Sequence, residues 1–295
     1  MTIESPLPSP TKPAGSIYGV STDEVYTGQP PFGTTASDSL QYELFFDQIF
    51  VSIRIIKTPT ATFSSAWMWD NGIVDLLTSY QPFETRSREG LYAGNDHISY
   101  AMQHGGGQIL IRPEAGGEWA FDIEEKITSQ WRFPPDDVVI HQPGLRVSMR
   151  RSGETLVGRG YAKRYAFAGD NGYMYWRFIT GPFGAWRDQT GPWVWTAEAA
   201  FELKKYDYFK IMDAAGDIKT ADQPGTYHRD RLAIGVVDGQ AHCVEIEDIG
   251  RIEKVMKTDK TDMKISQAYC HMTVTRDGET LTGFGLNEIA CGTNF

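Results

Sequence analysis

At 295 residues, with 41% hydrophobic and 22% charged side chains, the chain is globular and long enough for one large domain or two ordinary ones. A net charge of −10 without any Lys/Arg-rich run excludes the electrostatic footprint of a nucleic-acid binder and disfavours anionic membranes as a partner. No apolar run approaches the ~18 residues of a membrane-spanning helix, and the N-terminus shows no basic-then-apolar leader. A cytoplasmic protein without membrane insertion is expected.

Residues 1–15, rich in Pro and Ser, read as a flexible tail. Ser39 to Phe46 admits a short helix, with Ser39 as its cap and Glu43 in the turn. Beyond it, period-2 alternation dominates. Phe50 to Ile56 alternates as a strand, and Trp67-Met68-Trp69-Asp70 sets Trp67 and Trp69 on one strand face before the turn Asp70-Asn71-Gly72. His104-Gly105-Gly106-Gly107 reads as a loop ahead of the strand Gln108 to Arg112. Glu118, Asp122 and Glu124 share one face of a strand, either solvated or pointing into a barrel. Leu145 to Arg150 alternates up to the turn Arg151-Ser152-Gly153, and Tyr173 to Ile179 follows the turn Gly169-Asp170-Asn171-Gly172. Trp193 to Met212 reads extended throughout, and Asp238-Gly239 is a hairpin turn. Strands at roughly ten-residue spacing, without helical crossovers, predict a barrel or sandwich.

The three cysteines, Cys243, Cys270 and Cys291, form no disulfide framework. Cys270 and Cys291 could pair, but buried free thiols are the simpler reading. The histidines are scattered and show no metal-ligand spacing, so no metal site is expected. Rossmann, phosphate-loop and serine-elbow signatures are also missing, and no cofactor is expected.

An internal repeat carries the most information. Arg151-Ser152-Gly153-Glu154-Thr155-Leu156-Val157-Gly158-Arg159-Gly160-Tyr161 recurs as Arg276-Asp277-Gly278-Glu279-Thr280-Leu281-Thr282-Gly283-Phe284-Gly285-Leu286, 125 residues later, with seven of eleven positions identical. A weaker echo pairs Phe121-Asp122-Ile123-Glu124-Glu125 with Val244-Glu245-Ile246-Glu247-Asp248, 123 residues later. Two echoes at nearly one spacing imply two homologous β-units, residues 16–168 and 169–295. The G-x-G within each copy marks a bulge, a bend or a close backbone approach, as barrel closure requires.

A duplicated β-unit whose hairpin ends in G-x-G-Y, at Gly158 to Tyr161, resembles the lipocalin-like superfamily of carotenoid 1,2-hydratases and AttH-type proteins. Tocopherol cyclases and fungal Diels–Alderases look like more distant relatives. The resemblance implies an all-β fold of two tandem lipocalin-like β-barrels or curled sheets. It also implies apolar isoprenoid or polyene substrates, handled without metal or redox cofactor. Family members often follow G-x-G-Y with an acidic residue. Here Ala162-Lys163-Arg164 follow Tyr161, whereas Glu288 sits two residues beyond Leu286 in the second copy.

An apolar pocket needs aromatic walls and a few polar groups. Trp67, Trp69, Tyr161, Trp176 and Trp195 are the candidate walls, able to meet a developing carbocation through cation–π contacts or simply to fill the core. Candidates for proton transfer are Asp70 beside two tryptophans, Glu198 in an apolar strand, His97 after Asp96, and Glu288. The expected function is therefore a cofactor-independent isomerase, cyclase or hydro-lyase acting on a hydrophobic, terpenoid-like small molecule. The alternatives are a non-catalytic carrier of an apolar ligand and a carbohydrate-active β-sandwich.

Overall fold

Alternation becomes strand almost everywhere. The computed structural model describes residues 37–58, 61–86, 91–103, 106–124, 129–133, 137–151, 153–167, 173–187, 191–201, 205–222, 226–228, 231–257 and 262–292. The expected N-terminal tail, the boundary at 168/169, the Gly169–Gly172 turn and His104-Gly105 lie outside these residues. The first four strands are β1 (Ser37–Phe45), β2 (Ile49–Lys57), β3 (Thr62–Asp70) and β4 (Ile73–Ser79). Next come β5 (Glu84–Arg86), β6 (Leu91–Gly94), β7 (Ile98–Gln103) and β8 (Gly106–Ile111). Strands β9 (Trp119–Glu124), β10 (Ser129–Phe133), β11 (Asp137–Arg151) and β12 (Glu154–Phe167) complete the first sheet. The second begins with β13 (Tyr173–Pro182), β14 (Trp193–Phe201), β15 (Lys205–Met212) and β16 (Ile218–Thr220). It ends with β17 (Thr226–His228), β18 (Leu232–Val237), β19 (Gln240–Met256), β20 (Met263–Arg276) and β21 (Glu279–Gly292).

The fold is all-β, two tandem lipocalin-like curled sheets related by internal duplication, and the sheets are described one at a time. The first is 12-stranded, in the order β4-β3-β2-β1-β12-β11-β9-β8-β7-β6-β5, with β10 also on β11. The second is 9-stranded, in the order β16-β15-β14-β13-β21-β20-β19-β18-β17. Both are meanders in which the first strand pairs with the last, leaving the break between the fourth and fifth strands. The weaker sequence echo is structural too. Phe121 pairs with Met149 and Val244 with Val274, so each occupies the same place beside its hairpin.

Ser39 to Phe46, read above as a short helix, is instead strand β1 and its end. Its Leu-Gln-Tyr-Glu-Leu alternation fits a strand whose two faces bury different things, and pairing with β2 and β12 overrides a local capping signal. Among the described residues no helix is long and apolar enough to cross a membrane.

One face of the first sheet closes on an apolar core. Leu40, Tyr42 and Leu44 of β1 meet Val51, Ile53 and Ile55 of β2, and Ile109, Phe121 and Val147 arrive from the other arm of the curl. Tyr42 and Tyr100 join their hydroxyls within this core, their ring centroids 5.5 Å apart. The second sheet has its own core, in which Ile179, Val194, Phe209, Val244 and Met272 are central. Each such side chain contributes about 1.5–3 kcal/mol on burial.

The G-x-G pairs lie where first and last strands meet. A Cβ on Gly158 would stand 2.3 Å from the Phe45 carbonyl oxygen and 2.6 Å from the Phe46 ring. One on Gly283 would stand 2.0 Å from the Pro182 carbonyl oxygen. The repeated glycines thus answer a close backbone approach. The repeated turn is served by Asp277 and Gly278, with φ of 48° and 82°, as a two-residue hairpin demands.

The three cysteines are free thiols. Cys270 pairs in register with Gly285 and Cys291 with Lys264, six positions along β20 (270 to 264). At ~3.3 Å per residue that is about 20 Å, beyond disulfide reach. Burial pushes the Cys270 thiol pKa far up, and the thiol donates to the Gly285 carbonyl oxygen at 3.1 Å.

Gly158→Ala and Gly283→Ala should each lower the unfolding free energy by about 1–3 kcal/mol in urea titrations. Gly72→Ala, where a Cβ meets nothing within 4 Å, should change it by no more than about 0.5 kcal/mol.

Candidate functional site

Strand β1 is buried on both faces. Behind the apolar one, Gln41, Glu43 and Phe45 form a second face that solvent does not reach. Cross-strand register shows what joins them. Glu43 lies between Ser52 of β2 and Tyr161 of β12, and Gln41 lies between Arg54 and Lys163. Lys163 is in turn opposite His141 of β11, and Ser52 opposite Trp67 of β3.

Six polar side chains on this face are hydrogen-bonded in two sets, as burial favours. Arg54 Nη2 donates to Gln41 Oε1, and Gln41 Nε2 donates to Glu43 Oε1. Ser52 Oγ donates to the same carboxylate oxygen at 3.3 Å. His141 Nδ1 and the Tyr161 hydroxyl share a hydrogen bond, with both side chains at 0% exposure. Aromatic rings flank the set. Phe45 packs on Phe50 at 5.0 Å between centroids, Phe50 on Trp67 at 5.2 Å, and Tyr165 meets the His141 ring edge-on at 6.0 Å.

The second sheet repeats this plan with other side chains. Trp176, Phe178 and Thr180 of β13 are buried on the face that also holds Trp195 of β14, Lys210 of β15 and Glu288 of β21. Glu288 lies opposite both Phe178 and Gln267, and its Oε2 accepts from Gln267 Nε2 at 2.8 Å. Trp176 stacks on Phe178 at 5.8 Å, and Trp193 Nε1 donates to Thr180 Oγ1 at 2.9 Å. Lys210 lies opposite Trp195, and burial holds its ammonium pKa well below the ordinary 10.5.

The residues singled out from sequence are therefore distributed. Trp67, Trp69 and Tyr161 fall on the polar face of the first sheet, Trp69 half-buried near the turn. Trp176, Trp195 and Glu288 fall together on the equivalent face of the second. Glu198 is on that sheet's opposite face, with Arg177 as its cross-strand partner. Asp70 ends β3 in an ion pair with Arg151, whose guanidinium also lies 4.8 Å over the Trp119 ring. His97 sits in the turn before β7, Nδ1 3.4 Å from the Arg112 carbonyl oxygen and Nε2 3.9 Å from Glu114. Neither Asp70 nor His97 joins either buried face. Glu118, Asp122 and Glu124 are solvated, paired with Arg112, Arg150 and Arg146 at 3.0, 3.4 and 3.9 Å. Glu118 borders an open groove of about 420 Å³ whose polar lining also includes Gln108, Arg150 and Arg151, a poor match for an apolar ligand.

Sequence reasoning gave no site role to Gln41, Glu43, Ser52, Arg54, Lys163, Lys210 or Gln267, and met His141 only as one of six scattered histidines. The available signal was the alternation itself, which ordinarily reads as one buried and one solvated face. Among the described residues no group of three or more His, Cys, Asp or Glu could hold a metal ion.

No family model and no curated protein matches this chain. Solved structures do. A putative AttH from Nitrosomonas europaea superposes with a TM-score of 0.52 at 14% identity, over 86% of this chain and 91% of that one. CghA does so at 0.53 and 9% identity, over 98% and 95%. Kievitone hydratase from Nectria haematococca gives 0.52 at 10% identity, over 98% of both. The fold is the one these proteins share. The resemblance read from G-x-G-Y and the duplication therefore holds for the fold.

Lys210 yields a pH test. Its folded pKa is depressed, so between that value and 10.5 the unfolded chain binds more protons than the folded one. Stability contributed through this group must rise with pH across that window. Urea titrations from pH 7 to 10.5 should show the rise in wild type and its loss in Lys210→Met.

Proposed function

We propose that this protein is a cofactor-independent enzyme, an isomerase, cyclase or hydro-lyase, that moves protons on a hydrophobic, terpenoid-like small molecule. The observation that carries the reading is Glu288. Its carboxyl group, 1% exposed, shares a sheet face with Trp176, Phe178, Trp195 and Tyr208 and accepts a hydrogen bond from Gln267. Burying a carboxyl group is unfavourable unless something compensates, and such groups concentrate at functional sites. A carboxyl group among aromatic rings can pass a proton to an alkene or take one from a carbon acid, while the ring faces stabilise developing positive charge.

The fold neighbours support the reading without supplying its details. One is named a hydratase, and CghA has also been crystallised with Sch210972. In this proposal Glu288 transfers the proton, and Trp176 and Trp195 shape the apolar surroundings. Trp67 and Tyr161 lie on the corresponding buried face of the first sheet, at other register positions.

Turnover of a panel of terpenoid alkenes, terpenoid alcohols and prenylated phenols tests this. Glu288→Gln should lower kcat by about a hundredfold or more, with ligand affinity changed only a few-fold. A loss below tenfold would remove Glu288 from the chemistry. Binding without turnover by the wild-type protein would instead identify a carrier.

A further inference from the structure

We infer that Tyr161 and His141 form a proton-transfer pair that recognises a hydroxyl group on the apolar ligand, the hydroxyl of a phenol or an enol. This rests on the apolar-ligand reading above and deepens it. The duplication supplies an internal control. With the 125-residue offset, Tyr161 corresponds to Leu286 and Lys163 to Glu288. His141 is the register partner of Lys163 and Gln267 that of Glu288, so Gln267 occupies the place of His141. The second unit closes the same strands through the same turn and the same G-x-G with Leu and Gln at these positions. Strand closure therefore has no need of a buried Tyr–His pair.

The backbone differs at the same point. In the first unit the register of β11 on β12 shifts between Pro143 and Leu145, across Gly144 at φ 71°, and Pro143 is the residue opposite Tyr161. In the second, β20 runs unbroken on β21 from Met263 to Arg276. The second unit carries its bulge one strand away, on β19 between Asp248 and Gly250, so only in the first does a bulge lie directly opposite the side chain at this position, where it can re-aim it.

The chemistry follows from the hydrogen bond. With Nδ1 accepting from the Tyr161 hydroxyl, the phenolic oxygen takes the acceptor role toward a ligand O–H. The ligand O–H bond breaks as its proton passes to the Tyr161 oxygen, and the Tyr161 proton passes to Nδ1. The products are a ligand oxyanion and an imidazolium, with no other reactant required. Phenols ionise near ~10 and imidazolium near ~6.5, a gap that a site can bridge. An alkyl alcohol is far weaker as an acid, so a phenol or enol is the matching class. The titratable and charged groups around the pair on this face are Glu43 of β1, Arg54 of β2, Arg146 of β11, and Arg159, Lys163 and Tyr165 of β12.

The test compares the affinities of naphthol and its methyl ether, which differ only in the recognised hydroxyl. Wild type should prefer naphthol by about tenfold or more, the worth of one good buried hydrogen bond. Tyr161→Phe and His141→Asn should each bring the ratio near unity while affinity for the ether stays within twofold, with near-UV circular dichroism confirming the fold. A merely structural pair would weaken both probes alike. Should Tyr161→Phe unfold, the ratio in His141→Asn decides. Equal affinities in wild type, or a preference kept by both variants, would overturn the pair's role and leave the Glu288 reading standing. Binding of neither probe would also overturn the pair's role, while the Glu288 reading stands or falls on the turnover panel.

Discussion

Each unit curls until its first strand hydrogen-bonds to its last, β1 to β12 and β13 to β21, and the backbones meet where both copies carry glycine. The approach is so close that a single Cβ at Gly158 or Gly283 would overlap a carbonyl oxygen of the neighbouring strand. Curvature comes from this contact and from the bulges around it. Once the curl is formed, one face of every central strand is committed to an apolar interior. The remaining break falls between strands consecutive in sequence, where a short connection crosses it.

The unusual property of the closing strands is that both of their faces are buried. In β1, Leu40, Tyr42 and Leu44 pack inward while Gln41, Glu43 and Phe45 are equally removed from water. In β13, Ile179 and Arg177 alternate with Phe178 and Thr180 to the same effect. A strand with two dry faces ordinarily reads as a continuous apolar run. Here one dry face is partly polar, and the Arg54–Gln41–Glu43–Ser52 chain of hydrogen bonds shows how such a face is kept stable. Networks of this kind are seldom the most favourable way to fill a core. Their presence on both closing sheets directs attention to those sheets as the place of chemistry.

Duplication followed by divergence explains how the two units differ. The turn, the leucine after it and the G-x-G are shared because closure dictates them. The positions between are free, and they have separated: Tyr161 against Leu286, Lys163 against Glu288, His141 against Gln267. One copy carries a His–Tyr pair beside a cation, and the other a carboxyl group among tryptophans, on the same register of the same hairpin.

The sequence by itself determined the strands, the repeat and the fold class, because alternation and turn glycines are local signals that tertiary packing seldom reverses. Period 2 marked most strands, R-x-G-E-T-L recurring with its G-x-G marked two units, and G-x-G-Y pointed to the lipocalin-like architecture. It also named Glu288 as a candidate, through the second copy of that motif, and tryptophans that the structure places on both closing sheets. The helix read at Ser39 to Phe46 failed because pairing with two neighbours outweighs a single capping serine. Only the tertiary structure decided which acids are buried. Glu118 and Glu43 both occur in alternating stretches, yet one is solvated and the other sealed. Alternation reports that a strand has two faces, and says nothing of whether the second is covered. That depends on the curl of the whole sheet, which brings His141 to Tyr161 across twenty residues of chain and sets Asp70 and His97 apart from both.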